Sequence, residues 1–287
     1  MKRLRNWLLF LIVVLIWSSN WSVMKSGLGY AEPLTFVFHR FLFSSLSLLP
    51  AVIFMRRRIP TNREDLFRLL LLSIINAFGI LSTNIGLASE KSGLSAVVTY
   101  TQPLFVFCMA VPFLNEKARV YKILGILIGF AGVVAISARE DTLLNSITSS
   151  MLFLLLGAFL WAVSTVYYKK FLSRVEPVIV NVFQLSLGAV LLGLITASSG
   201  ELSLPSSTNY LLTVLYASIG ASAIAFTLWI CLLREEEATV LSSSSLVVPM
   251  VALFFGWLLL GETVDLQSII GAVLVISGVY LVNKTEH

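Results

Sequence analysis

Apolar residues run along this chain in long stretches, broken at short intervals by clusters of Arg, Lys, Glu, Asn and Ser. Ten stretches are read as membrane-crossing helices, each close to the ~20 residues that a hydrocarbon core requires. They cover 7–27, 34–55, 66–88, 93–114, 120–138, 149–171, 178–198, 209–233, 238–260 and 266–283. The connections leave no room for a soluble domain. The first stretch follows Met1, Lys2, Arg3, Leu4 and Arg5 in the manner of a secretory signal, but it is too long and lacks a small-residue cleavage site, so it is read as a retained helix.

Composition agrees with the pattern. Of 287 residues, 57% are apolar and 12% charged, against roughly 45–50% and ~25% in a soluble domain, and the mean hydropathy is +0.92. These values exclude a soluble enzyme, a nucleic-acid binder and a disordered scaffold. Cys108 and Cys231 lie inside apolar runs, and with His39 and His287 they build neither a disulfide framework nor a metal cluster, so no cofactor is expected. The expected fold class is an all-α polytopic membrane protein of ten helices, with the lipid bilayer as its surroundings.

The placement of charge sets the orientation. With the N-terminus in the cytoplasm, sixteen of the twenty Lys and Arg residues fall on the inner side. Lys25, Lys91 and Arg139 fall outside, and Arg40 lies within the second stretch. Both termini are therefore expected in the cytoplasm, and the net charge of +5 needs no polyanionic partner.

The chain also repeats itself. Trp17, Lys25, Glu32 and Pro33 recur 144 residues later as Trp161, Lys169, Glu176 and Pro177. Pro103, Glu116, Gly125 and Gly132 recur at an offset of 146 as Pro249, Glu262, Gly271 and Gly278. The chain divides into blocks 1–138 and 149–287, joined by an extracytoplasmic linker at 139–148. Five helices per block is an odd number, so the second block enters the membrane inverted, the arrangement of secondary transporters that enclose a site near the midplane.

On these residues the chain resembles the EamA-like branch of the drug/metabolite transporter superfamily. The resemblance runs through Trp17, Ser18, Ser19 and Asn20 with Lys25, through Arg40, and through Gly261 and Glu262 followed by Gly271 and Gly278. Asn115 stands where the second block has Gly261, a departure from the pattern. The resemblance implies a ten-helix carrier of two five-helix repeats that exports or exchanges small metabolites, often amino acids; the family also carries sugars and nucleotide derivatives. The expected activity is transport of a small polar solute by alternating access, with a sugar or phosphorylated-metabolite carrier, or a polytopic membrane enzyme, as alternatives.

Individual residues suggest where the solute sits. Pro103 and Pro249 lie centrally in the fourth and ninth stretches, where proline kinks or opens a helix and frees backbone carbonyls. Such paired interruptions point to a transporter site, or only curve the helices around it. Tyr100, Thr101 and Gln102 precede the first proline, and Ser242, Ser243, Ser244 and Ser245 the second. These groups are expected to face one cavity, although the serines are equally suited to helix packing. Trp17 is too deep for the interfacial belt and is read as cavity wall together with Asn20, with Trp161 and Thr165 as counterparts; Asn84 and Trp229 are further candidates.

Arg40 either meets an anionic solute group or turns outward to pair with Glu32. Glu116 and Glu262 suit the amides of a helix N-terminus. Gly125, Gly132, Gly271 and Gly278 suit close helix packing, within the chain or between two copies in a homo-oligomer. No Asp or Glu lies near the centre of a stretch, which disfavours a carboxylate proton relay.

Reporter fusions at residues 62 and 204 are expected on opposite faces, inner and outer respectively. Both on one face would remove the inverted arrangement.

Overall fold

The structure, a computed structural model, describes residues 2–55, 59–90, 92–137, 148–200, 202–260 and 266–284. Within these, six helices are long and apolar enough to cross a bilayer: Leu4–Gly27, Pro33–Met55, Arg63–Ser89, Ser149–Leu172, Pro177–Ser199 and Thr208–Glu235. The chain is a multi-pass membrane protein. In chain order the helices are α1 (Lys2–Gly27), α2 (Pro33–Met55), α3 (Arg63–Ser89), α4 (Ser92–Thr99), α5 (Gln102–Leu114), α6 (Val120–Ser137), α7 (Ser149–Tyr167), α8 (Pro177–Ser199), α9 (Thr208–Leu215), α10 (Phe226–Glu235), α11 (Ala238–Ser244), α12 (Val247–Leu260) and α13 (Leu266–Val282). A π-helical turn, Tyr168–Leu172, extends α7, and a ten-residue π-helical segment, Tyr216–Ala225, joins α9 to α10. The linker 139–147, Gly261 and Glu262 lie outside the described residues.

Local chemistry accounts for several ends. Asn62 accepts from the Asp65 amide at 2.7 Å and returns a bond to the Asp65 carboxylate at 2.8 Å, a reciprocal cap that starts α3. Pro33 and Pro177 open α2 and α8, where a missing N–H costs nothing. Asn115 closes α5 at φ 57°. That left-handed backbone is taken readily by Gly and, among other residues, by Asn, which accounts for the departure at this position.

The fourth and ninth stretches are each two helices. Pro103 is the second residue of α5 and Pro249 the third of α12, so each proline begins a half-helix instead of kinking a continuous one. Tight turns make the breaks: the Thr101 amide reaches the Val98 carbonyl at 3.2 Å and Leu104 reaches Thr101 at 3.0 Å. In the second break Leu246 reaches Ser243 at 3.2 Å and Val248 reaches Ser245 at 2.9 Å. These i to i−3 bonds occupy backbone groups that a bilayer would otherwise leave unsatisfied.

Two lysines complete the same task at helix ends. Lys25 donates to the Leu87, Ala88 and Glu90 carbonyls at 2.9, 3.0 and 2.8 Å, holding the end of α3. Lys169 donates to Leu233, Arg234 and Glu236 at 2.7, 3.3 and 2.8 Å, holding the end of α10. An ammonium has three donors, and a helix C-terminus offers unpaired carbonyls at the negative end of its dipole. The two clamps sit at opposite ends of the bundle. Arg5 and Asn6, at the start of α1, touch Glu235 and Glu236 beside the Lys169 clamp, and Lys25 lies twenty residues further along α1, about 30 Å away.

Glu116 caps a helix, but not the one that follows it. Its carboxylate accepts the Ala238 and Thr239 amides at 2.7 and 3.1 Å, at the start of α11 in the other block. Lys122 at the start of α6 pairs with Glu237 beside this cap.

Packing is closest between α6 and α13, α3 and α7, and α2 and α8. A Cβ on Gly278 would lie 2.4 Å from the Gly129 nitrogen and 2.5 Å from the Gly125 oxygen; one on Gly132 would lie 2.6 Å from the Gly271 oxygen. The α6–α13 backbones therefore touch within a single chain. Gly278→Leu is expected to destabilise the protein by about 1–3 kcal/mol, as overpacking does, seen as a lower Tm in detergent. Gly220→Ala is expected to leave Tm unchanged, because its Cβ would have no neighbour nearer than 3.6 Å.

Candidate functional site

A cavity of about 100 Å3 lies among α1, α2, α3, the α4 end of the first break, α7 and α10. Trp17, Asn20, Arg40, Asn84, Tyr100 and Trp161 line it, joined by Trp21, Met24, Asn76, Thr83, Thr99 and Phe226. The α3–α7 approach shapes one side, where Gly79 and Gly157 let the backbones come close enough that a Cβ on Gly157 would meet the Gly79 oxygen at 3.1 Å.

One wall is aromatic. Ring centroids lie 5.6 Å apart for Trp17 and Trp161, 5.9 Å for Trp17 and Phe226, 6.0 Å for Tyr100 and Trp161, and 6.5 Å for Trp21 and Tyr100. Edge-to-face and tilted contacts of this kind hold the rings without covering every face. A rigid cage of ring faces attracts cations.

The opposite chemistry comes from Arg40. It is buried, its Nε donates to the Ser222 hydroxyl at 2.7 Å, and one terminal nitrogen meets the Met24 sulfur at 3.1 Å. Sulfur is a weak acceptor, so this is thin company for a guanidinium with five donors. Among the described residues no carboxylate pairs with it, Glu32 included. A buried cation at the wall of a cavity invites an anion from the cavity.

Several polar atoms beside the cavity are also buried without a protein partner: Asn20 Oδ1, Asn76 Nδ2, Asn84 Oδ1, Thr99 Oγ1 and Trp161 Nε1. Each costs about 1–3 kcal/mol if left dry. Asn84 is already oriented by its Nδ2 bond to the Ile80 carbonyl at 2.8 Å. The site is built for a polar guest or water.

The π-helical segment Tyr216–Ala225 brings Ser222 to Arg40. Its wide turn is held from three sides: Trp17 Nε1 bonds the Ala221 carbonyl at 3.3 Å, Ser44 bonds Ser218 at 3.0 Å, and Asn181 bonds Ser222 and Thr227 at 2.9 and 2.8 Å. Apolar periodicity does not reveal a π-helical stretch, so Asn181 and Ser222 escape a reading of the sequence; the run of Ser and Ala there is the only hint.

The remaining candidates lie elsewhere. Gln102 is buried and contacts Thr165 at 3.5 Å, and Thr165 turns back to the Trp161 carbonyl at 2.9 Å. Trp229 packs on Trp17 at 5.2 Å, outside the cavity lining. Ser245 is buried with its hydroxyl on the Ser242 carbonyl at 2.6 Å, and Ser243 and Ser244 likewise bond carbonyls one turn back. The two breaks are thus not chemically equal. The first presents Thr99 and Tyr100 to the cavity, whereas Ser243, Ser244 and Ser245 of the second close on their own helix, the lowest-cost partner for a short hydroxyl, and the buried Ser242 hydroxyl has no partner among the described residues.

The pattern of the EamA-like transporter family matches residues 5–138 and again 148–284. The uncharacterized transporter YoaV of Bacillus subtilis is 29% identical over 276 residues, 94% of this chain and 93% of that protein. The uncharacterized inner membrane transporter YedA of Escherichia coli is 28% identical over 279 residues, 95% of this chain and 89% of that one. A chloroplastic WAT1-related protein of Arabidopsis thaliana is 26% identical and spans 98% of this chain and 70% of its own length. A crystal structure superposes with a TM-score of 0.82 at 19% identity, over 97% of this chain and 96% of that one; at that identity the likeness speaks to the fold alone.

Single cysteines at Trp17, Asn84 and Tyr100, in a background lacking Cys108 and Cys231, are expected to react with small water-soluble thiol reagents. Cysteines at Ser245 and Val275 are expected to stay unmodified, since thiolate formation needs water nearby. Equal labelling at all five positions would place the wet cavity elsewhere.

Proposed function

Because the chain belongs to the EamA-like transporter family, we propose that it carries a small zwitterionic metabolite, an amino acid or close relative, across the cytoplasmic membrane. The observation that carries this reading is the division of one cavity between an anion-seeking Arg40 and a cation-attracting aromatic wall. A carboxylate fits the planar fork of the guanidinium, an ammonium fits the ring faces, and the unpartnered amide and hydroxyl groups take up the remaining polar atoms. A phosphorylated solute is served less well, because among the described residues Arg40 is the only basic one on the cavity wall.

The mechanism we favour is alternating access by two inverted repeats, with ten membrane crossings and both termini in the cytoplasm. The matched lysine clamps at opposite ends of the bundle support it, as do the matched broken helices. Rocking one block against the other must also shift the helix pairs α6–α13, α3–α7 and α2–α8 that join the blocks, and it requires polar contacts that can open, such as the Glu116 cap on α11 and the Lys122–Glu237 pair at one end. With no carboxylate on the cavity wall among the described residues, exchange of solute for solute is the mode this chemistry supports.

Counterflow in proteoliposomes, with the pH gradient collapsed, tests the reading across a panel of amino acids, sugars and phosphate esters. Amino-acid exchange is expected. Arg40→Gln is expected to raise the half-saturating concentration about 10- to 100-fold, the worth of a charge-assisted hydrogen bond, with the fold intact because Gln184 already occupies the matching place in the second block. Exchange confined to sugars, or unchanged by Arg40→Gln, would overturn it.

A further inference from the structure

A larger cavity, about 620 Å3, opens at the end of the bundle that carries the Lys169 clamp, and it shares no lining residue with the central one. Its rim is cationic: Lys117 and Arg119 before α6, Lys122 in its first turn and Lys284 after α13 face, among the described residues, the carboxylates of Glu236 and Glu237. Those charges are unequally committed. Lys122 is buried against Glu237, and Arg119 donates to the Tyr121 hydroxyl at 2.9 Å. Lys117 and Lys284 are exposed, and neither forms an ion pair among the described residues. Below the rim the wall turns apolar, with Phe10 of α1 and Leu241 of α11.

The position of the cavity in the bundle says what such a polarity gradient would meet. It lies between α1 and α13, whose outer faces carry exposed Leu4, Leu8 and Leu11 on one helix and Val273, Ile276 and Tyr280 on the other. Those faces turn to lipid. Trp7, 52% exposed, stands on the cavity wall at the start of α1, at the depth where membrane proteins place tryptophan.

We propose that this cavity seats an anionic phospholipid from the adjoining leaflet, with its phosphate on Lys117 and Lys284 and the upper part of an acyl chain against Phe10 and Leu241. A free phosphate ester would find the same cations but gain nothing from the apolar wall. A zwitterionic lipid would gain the wall but bring its own cation to a rim already in cationic excess.

Native mass spectrometry of the full-length protein, titrated with phosphatidylglycerol or phosphatidylcholine, tests the assignment. Phosphatidylglycerol is expected to be retained preferentially. Replacing both exposed lysines (Lys117→Gln with Lys284→Gln) should weaken its binding about 30-fold, at roughly fivefold per surface charge. Arg63→Gln, which removes an exposed charge at the start of α3 and outside this cavity, should leave binding unchanged. Equal retention of the two lipids would overturn the proposal, as would a preference that survives the double replacement. Displacement of phosphatidylglycerol by glycerol 3-phosphate at comparable concentration would also overturn it, in favour of a soluble-anion site.

Discussion

A bilayer offers no hydrogen bonds, so each backbone N–H and C=O in the hydrocarbon must be satisfied by the protein itself. This chain breaks two of its helices at depth and widens a third into a π-helical segment, and much of its polar chemistry follows from the need to settle those irregularities. Tight turns close the breaks at Tyr100 and Ser245, and each proline falls in a first turn, where its missing donor is harmless. Lys25 and Lys169 gather the loose carbonyls at two helix ends. Trp17, Ser44 and Asn181 reach across to the π-helical segment. The cavity exists because these repairs come from neighbouring helices and leave the space between them open.

The two blocks share this scaffolding and divide the site chemistry. Where the first block has Arg40, Asn84 and Tyr100, the second has Gln184, Ile230 and Leu246. The second block contributes Trp161 and Phe226 to the cavity instead. One block thus supplies charge and amides, and both supply rings.

The blocks are joined along their length by backbone-close helix pairs, α6 with α13, α3 with α7 and α2 with α8, and at one end by polar contacts. The glycine faces of α6 and α13 admit no slack. The Glu116 cap and the Lys122–Glu237 pair, in which Lys122 is buried and Glu237 exposed, add polar contacts at one end of the bundle.

The membrane class, the positions of the apolar stretches, the doubled landmarks and the shared placement of Trp17, Asn20, Arg40 and Tyr100 were legible in the residues alone. Burial in lipid writes itself into composition over about 20 residues, and an internal repeat preserves spacing whatever its partners are. Three things were decided only by the tertiary structure. Glu116 finds its amides 122 residues away, on α11 and not on the helix that follows it. Thr99 and Ser245 hold matching places before matching prolines, yet the Ser245 hydroxyl closes on its own helix while Thr99 lines the cavity with its hydroxyl unpartnered among the described residues. Arg40 has Ser222 for company because a π-helical turn in α9–α10 rotates that hydroxyl toward it. Each outcome depends on which distant group reaches a polar atom first, and in a medium without water that competition is settled by the packing of helices, not by the neighbours along the chain.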